Sequence, residues 1–482
     1  MSKTKTVRTR FAPSPTGFMH IGNLRSALYA YLIARSNSGQ FILRIEDTDQ
    51  ERIVEGSVEV IYQTLRACGL HHDEGPDMGG PYAPYVQSER KSGYLPYAEQ
   101  LVSKGKAYYC FCGKERISDQ EFASYDRNCR DLPQEIVAAR LAAGGEPYAI
   151  RQKMPLTGFT TFSDEVFGEI SVANEELEDQ ILIKSDGFPT YNFANVIDDY
   201  TMGITHVVRG SEYLSSTPKY NLLYEALGWE VPVYVHLPLI LGEDGSKLSK
   251  RHGATSFAEL LDHGYLSAAI INYIAFLGWS PGDDTREIYS LRDLEQVFSI
   301  SGISKSPAVF SMAKLDWFNE QYLRAMQPQD FADLIKPLID QVLGSQDYNL
   351  ALLAALLQPR ITRLSDIPEQ IDFFVAADPL NLDLYRQKRS KLQPEVALII
   401  LTDLIPKLSQ LTTWEHDEIL SAIQAYVAES GYKLGQVMGA IRPSLSGRSV
   451  TPGGAVELML ILDQAESMQR LEQALVFLQQ NN

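Results

Sequence analysis

Val7-Arg8-Thr9-Arg10-Phe11-Ala12-Pro13-Ser14-Pro15-Thr16-Gly17 is followed, two residues on, by His20-Ile21-Gly22-Asn23-Leu24. Val7, Thr9 and Phe11 alternate with Arg8 and Arg10, the period-two pattern of a strand. Pro13 to Gly17 interrupts it. From Ile21 the apolar residues Leu24, Leu28, Tyr31 and Leu32 recur at helical spacing, and Gly39 closes the helix before a second strand over Phe41 to Ile45. Strand, helix and strand in that order predict a βαβ unit. Such a unit implies a parallel sheet whose ligands sit at the carboxyl ends of the strands, beside helix N-termini. Strand-like Thr205 to Arg209 and Val233 to Leu241, with a helical stretch from Tyr220 to Leu227 between them, complete the sheet.

Working outward, the texture after Glu74 turns to Gly-, Pro- and Tyr-rich loops, and from about Phe257 long helical patterns dominate. The expected fold class is an α/β N-terminal half, a Rossmann-type parallel sheet with an inserted domain, followed by an all-α C-terminal half of helix bundles. Residues 1–74 and 191–253 would form the sheet domain, 75–190 the insertion and 254–325 a connecting domain. Pro328, Pro359, Pro368, Pro379 and Pro394 punctuate the rest at helix-length intervals, suggesting bundles over 326–375 and 376–482.

With 45% hydrophobic and 22% charged residues among 482, the composition is that of an ordinary globular protein. No apolar run reaches the about 18 residues of a membrane span, and Met1 to Thr6 is polar with no apolar segment behind it, so a cytoplasmic protein is expected. Lys+Arg total 43 against 61 Asp+Glu, a net charge of -18, which argues against a chain basic all over. A local basic track for a phosphate backbone is still compatible with it.

Two segments carry chemistry. Pro13 to Gly22 lies between strand and helix, where backbone N–H groups and the helix dipole favour an anion. Gly17 and Gly22 allow close approach of a phosphate or adenine ring, and His20 can donate to a phosphoryl group as negative charge builds. Far downstream, Gly242-Glu243-Asp244-Gly245-Ser246 leads into Lys247-Leu248-Ser249-Lys250-Arg251, a Gly-rich loop ending in cations. Alone it reads as a solvated loop; beside the first segment it reads as a lid over a triphosphate.

These strings resemble the HIGH and KMSKS signatures of class I aminoacyl-tRNA synthetases. Arg10 to Gly17, Arg44-Ile45-Glu46-Asp47-Thr48-Asp49, Leu182 to Tyr191, Asn195-Val196-Ile197-Asp198-Asp199 and Val208-Arg209-Gly210 resemble more closely the bacterial glutamyl-tRNA synthetases, over essentially the whole chain. The resemblance implies ATP-dependent ligation of L-glutamate to the 3′ end of tRNA(Glu) through glutamyl-adenylate, with Mg²⁺ accompanying ATP, in a monomer. It implies that Arg10 pairs with the side-chain carboxylate of glutamate, that Arg209 is the second arginine of the pocket and that Glu46 receives the ammonium. Ser14, Tyr191 and Asn195 would hydrogen-bond the amino acid. His20, Lys247 and Lys250 would act in the transition state, with Gly22, Asn23 and Glu212 near ATP. Asn23 and Leu248 depart from the motif labels; the first keeps a donor and the second is a near-isosteric apolar exchange.

Cys110, Cys112 and Cys129 fall within twenty residues, a spacing that in a reducing compartment signals a metal more often than a disulfide. The cluster resembles a zinc module of this family, with the fourth ligand open between Tyr125 and Asp131. The basic run Arg386, Lys388, Arg389 and Lys391, with Trp414, Tyr426 and Tyr432 as base-stacking candidates, suggests tRNA contact in the helical half. Gln358 aligns where discriminating relatives carry an arginine near the anticodon, which leaves tRNA(Gln) open as a second acceptor. The competing readings are a glutaminyl-tRNA synthetase and a tRNA-independent nucleotidylyltransferase. Arg10 favours glutamate, since a buried arginine facing a neutral amide would lack a counter-charge.

Overall fold

The computed structural model describes residues 6–17, 19–49, 52–113, 125–253, 255–282, 284–344 and 347–481; the side chain of Lys250 lies outside what is described. The predicted βαβ unit is present as β1 (Arg8–Phe11), α1 (Ile21–Ser36) and β2 (Gln40–Leu43), with β1 and β2 parallel. Helix α1 is buried nearly all round, from Ile21 and Leu24 to Leu32 and Ile33, because it packs beneath the sheet rather than on the surface.

Further along come α2 (Ser57–Ala67), α3 (Leu95–Ser103), β3 (Ala107–Cys110), α4 (Gln134–Ala143), β4 (Ala149–Gln152), β5 (Phe159–Asp164), β6 (Gly168–Ala173) and β7 (Ile181–Ile183). Then follow α5 (Tyr191–Thr201), β8 (His206–Gly210), α6 (Thr217–Leu227), β9 (Val233–Leu237) and β10 (Ile240–Leu241). The main sheet has the order β2-β1-β8-β9-β5-β6, parallel except for the β5–β6 hairpin. Residues 159–173 fall inside the stretch read as an insertion, yet they extend this sheet through β9. Strands β3, β4 and β7 form a separate antiparallel sheet. Pairing between strands some seventy residues apart depends on tertiary register, which local patterning does not encode.

The chain divides into two units, residues 1–261 with 267–315, and 262–266 with 316–482. The first also holds α7 (Phe257–Asp262) to its Leu261, α8 (Ser267–Ala275), α9 (Leu291–Val297) and β11 (Ala308–Val309), the last parallel to β10. Helix α10 (Met312–Ala325) leads into the second unit, which is helical: α11 (Pro328–Leu343), α12 (Leu350–Leu357), α13 (Ile367–Ile371), α14 (Pro394–Ser409), α15 (His416–Ser430), α16 (Leu434–Ser446) and α17 (Ala455–Asn481). One apolar core runs through it from Leu323 to Leu478. The expected bundle boundary at 375 is no break in packing, since Arg470 of α17 donates to the carbonyls of Phe373 and Phe374. No described helix is long and apolar enough to cross a membrane.

Candidate active site

Two contiguous clefts open at the carboxyl end of the parallel sheet. One, of about 430 Å³, is lined by Arg10, Ser14, Glu46, Tyr191, Arg209 and Glu212 among others. The other, of about 290 Å³, is lined by His20, Gly22, Asn23, Glu212, Lys247 and Leu248 among others. Asn23, Ser26, Gly210 and Glu212 belong to both walls, so the two are halves of one site. Among the predicted site residues of this half whose side chains are described, Asn195 alone does not reach the cleft surface; it is buried one turn behind Tyr191 on α5. Lys250 sits in a short turn whose side chain lies outside the described residues.

His20 caps α1. Its Nδ1 accepts the N–H of Gly22 at 3.2 Å, so the ring proton sits on Nε2, free to donate. Burial, and then the charge of Lys247, lower its pKa below the usual histidine value. The two signature segments are brought together by backbone pairing: Ile21 N–H donates to Thr255 O, and His20 bridges Ser256. Leu248 is buried, as an apolar exchange at that position requires. The lysine loop is pinned by His252, whose ring contacts Asp244, Ser246 and Ser249.

Charge is handled differently on the two arginines. Arg10, 4% exposed, donates Nε and Nη2 to the two oxygens of Asp199 at 3.0 and 3.3 Å, and Nη1 to Val208 O at 3.1 Å. Arg44, wholly buried, bridges the same carboxylate to Glu46, with 2.7 and 2.8 Å contacts. Burial would push Asp199 up, but Arg10 and Arg44 outweigh it and hold the carboxyl below its ordinary range. Burial dominates at Glu46, whose pKa is raised despite Arg44. Burial, followed by the Glu46 charge, also pushes the Tyr191 hydroxyl well up.

Arg209 is 6% exposed, and among the described residues it pairs with no carboxylate. Its Nε donates to His236 Nε2 at 3.1 Å and its Nη2 to Thr217 Oγ1 at 3.0 Å, and it lies over the rings of Tyr220 and Tyr213. Arg10, expected to lack a counter-charge inside the protein, has one in Asp199; the buried cation whose hydrogen-bond partners are neutral is Arg209.

Sequence reading gave no role to Arg44, Asp199, His236 or Asp164. The available signal was a charged or polar residue within an otherwise apolar strand or helix, as in Val233-Tyr234-Val235-His236-Leu237.

Elsewhere, the thiol sulfurs of Cys110, Cys112 and Cys129 lie within 4.8 Å of one another. The Tyr125 hydroxyl is 3.1 Å from Cys110 Sγ and 3.9 Å from Cys112 Sγ. Asp131 instead pairs with Lys153 at 3.0 Å and its side chain is 82% exposed. In the helical unit Gln358 donates Nε2 to the carbonyls of Leu323 and Met326, both at 2.9 Å, and so caps the end of α10. Arg386, Lys388, Arg389 and Lys391 are exposed. Tyr426, read as a base-stacking residue, is buried in the apolar core with its hydroxyl on Asp403, and Trp414 donates to Met459 O; a ring packed in a core has no face for a base.

Comparison with known proteins agrees with this geometry. Residues 6–317 match the catalytic domain of the class I tRNA synthetases (E and Q), and residues 330–475 match an anticodon binding domain. Glutamate–tRNA ligase of Clostridium acetobutylicum is 52% identical over 474 residues, covering 97% of each chain. That of Clostridium botulinum is 52% identical over 477 residues, 97% of this chain and 98% of its own. A glutamate tRNA ligase from Elizabethkingia meningosepticum, solved in complex with its amino acid, superposes with a TM-score of 0.90 at 37% identity, over 98% of this chain and 100% of that one. With two domain models spanning most of the chain and half the residues shared with these relatives, the chain belongs to the class I tRNA synthetases (E and Q), among the glutamate–tRNA ligases.

Proposed function

We propose that this chain ligates L-glutamate to the 3′ end of tRNA(Glu) at the expense of ATP, in the cytoplasm. The observation that carries this reading is a cleft holding a buried arginine that pairs with no carboxylate among the described residues, continuous with a second cleft at the N-terminus of α1. An oxygen of the glutamate α-carboxylate attacks the α-phosphorus of ATP; the bond to pyrophosphate breaks and glutamyl-adenylate forms. A terminal ribose hydroxyl of the tRNA then attacks the acyl carbon, and AMP leaves. Arg209 and the N–H groups of Arg10 not held by Asp199 meet the side-chain carboxylate. Glu46 receives the ammonium, with Ser14 and Tyr191 orienting the amino acid and Asn195 supporting Tyr191 from behind. His20 donates from Nε2 to the phosphates, Gly22, Asn23 and Glu212 line the nucleotide, and Lys247 and Lys250 offset charge on the transferring group. Mg²⁺ enters with the triphosphate and neutralises part of its charge.

Cys110, Cys112, Cys129 and Tyr125 would hold a structural Zn²⁺; three thiolates and a phenolate suit a closed site, and their convergence supports Tyr125 over Asp131 as the fourth ligand. The segment around it, within residues 75–190, takes the acceptor stem, residues 254–325 connect, and the helices beyond take the anticodon. Charging of tRNA(Gln) turns on the surface near Gln358, whose amide N–H groups are occupied within the protein. The test is transfer of labelled glutamate onto total tRNA, with the product sorted by hybridisation to glutamate and glutamine isoacceptors. Label on tRNA(Glu) supports the reading, label also on tRNA(Gln) adds the second acceptor, and no labelled tRNA contradicts it.

A further inference from the structure

Strands β8 and β9 are parallel, and Arg209 and His236 are cross-strand partners. The next strand, β5, ends on Asp164, which stands beside β9 through its pairing with Tyr234. The three side chains therefore form a row across three adjacent strands. Asp164 Oδ2 accepts from His236 Nδ1 at 2.7 Å and from the His236 backbone N–H at 3.1 Å. Its Oδ1 accepts the N–H groups of Val166 and Phe167, so the carboxylate is fixed by backbone as well as by the ring. Arginine has donors only, so the contact from Arg209 Nε makes His236 Nε2 an acceptor and leaves the ring proton on Nδ1, toward Asp164. Thr217 Oγ1 gives its hydrogen to Tyr213 O, so it does not compete for His236 Nε2.

We infer that His236, oriented by Asp164, is a positioning residue that holds the Arg209 guanidinium in the glutamate pocket without neutralising it. A carboxylate in place of the ring would bind Arg209 as firmly but cancel the charge that the substrate must meet, as Asp199 does for Arg10. A neutral imidazole fixes direction and leaves charge. The groups that face His236 are Asp164 from β5, Arg209 from β8, Arg10 from β1, Tyr234 on its own strand and Thr217 from α6. Burial, reinforced by the two arginines and opposed by Asp164, keeps the ring in the neutral form that this role needs. Thr217 shares the task, accepting from Arg209 Nη2.

The inference rests on the reading of the cleft as the glutamate site, so three variants are compared by steady-state aminoacylation, with KM for glutamate and for ATP measured separately. His236→Phe keeps the ring and removes the acceptor; glutamate KM should rise about 10- to 100-fold, the effect of losing a hydrogen bond to a charged group, with ATP KM within about twofold. His236→Gln, which keeps an acceptor near the Nε2 position, should recover most of the loss. Asp164→Asn leaves one acceptor oxygen, which the N–H groups of Val166 and Phe167 hold, and turns an amide donor toward the ring; it should raise glutamate KM in the same selective way, and carries the test if His236→Phe does not fold. Unchanged glutamate KM in these variants, or glutamate and ATP KM rising together, overturns the inference. Arg209→Ala separates the two claims: if it impairs glutamate use while His236→Phe does not, only the positioning role falls, and if it leaves glutamate KM unchanged, the placement of glutamate falls too.

Discussion

A buried arginine is costly unless something answers its charge, and this site holds three answered in different ways. Arg44 is balanced by Glu46 and Asp199, Arg10 by Asp199, and Arg209 by no protein carboxylate among the described residues. Asp199→Asn would leave Arg10 and Arg44 sharing Glu46 alone, and should lower the unfolding free energy by about 3–5 kcal/mol, read from denaturant melts. His20 gives a pH dependence. Its folded pKa lies below the ordinary histidine value of 6.5, so folding favours the neutral ring; that contribution is complete above 6.5 and is lost as pH falls through the folded pKa. Protonation of Nδ1 also breaks the bond from Gly22, so kcat/KM for ATP should hold from neutral pH down past 6.5 and decline only below it. An acid limb centred above 6.5 would contradict this. Arg10, His20 and Arg209 were legible as cleft-lining residues because each stands in a motif, but the division of charge between the two arginines was not. It depends on Asp199 and His236, which approach from other elements.

At the scale of elements, the strand, turn and helix of residues 7–36 were legible because alternation, a Pro-Gly break and helical spacing are all local. The hairpin of β5 and β6 was not placed in the main sheet, because its docking on β9 is a non-local pairing. The cysteine cluster combines both kinds of signal: Cys110 ends β3, Cys112 follows, and Cys129 returns from a loop to meet them, with the Tyr125 hydroxyl beside Cys110 and Asp131 turned to Lys153. Three converging sulfurs beside a phenol should carry about one Zn²⁺ per chain by elemental analysis. Chelation should then expose the segment around residues 107–152 to limited proteolysis. A metal-free chain with the same protease resistance would contradict the site.

For the whole molecule, a net charge of -18 sits with a role in handling tRNA because charge placement, and not its sum, governs phosphate contacts. The helical unit shows why its function is harder to read from sequence than that of the α/β unit: its residues build one apolar core, and candidates such as Tyr426 and Gln358 prove to be packing and capping groups. The central claim is that an unneutralised Arg209 makes the cleft select a carboxylate. Its most direct measurement is kcat/KM for glutamate and for glutamine in charging tRNA(Glu) under identical conditions. The account predicts a preference for glutamate of at least about 10³-fold, since an amide leaves the buried guanidinium without its anion. Comparable charging with glutamine would contradict it.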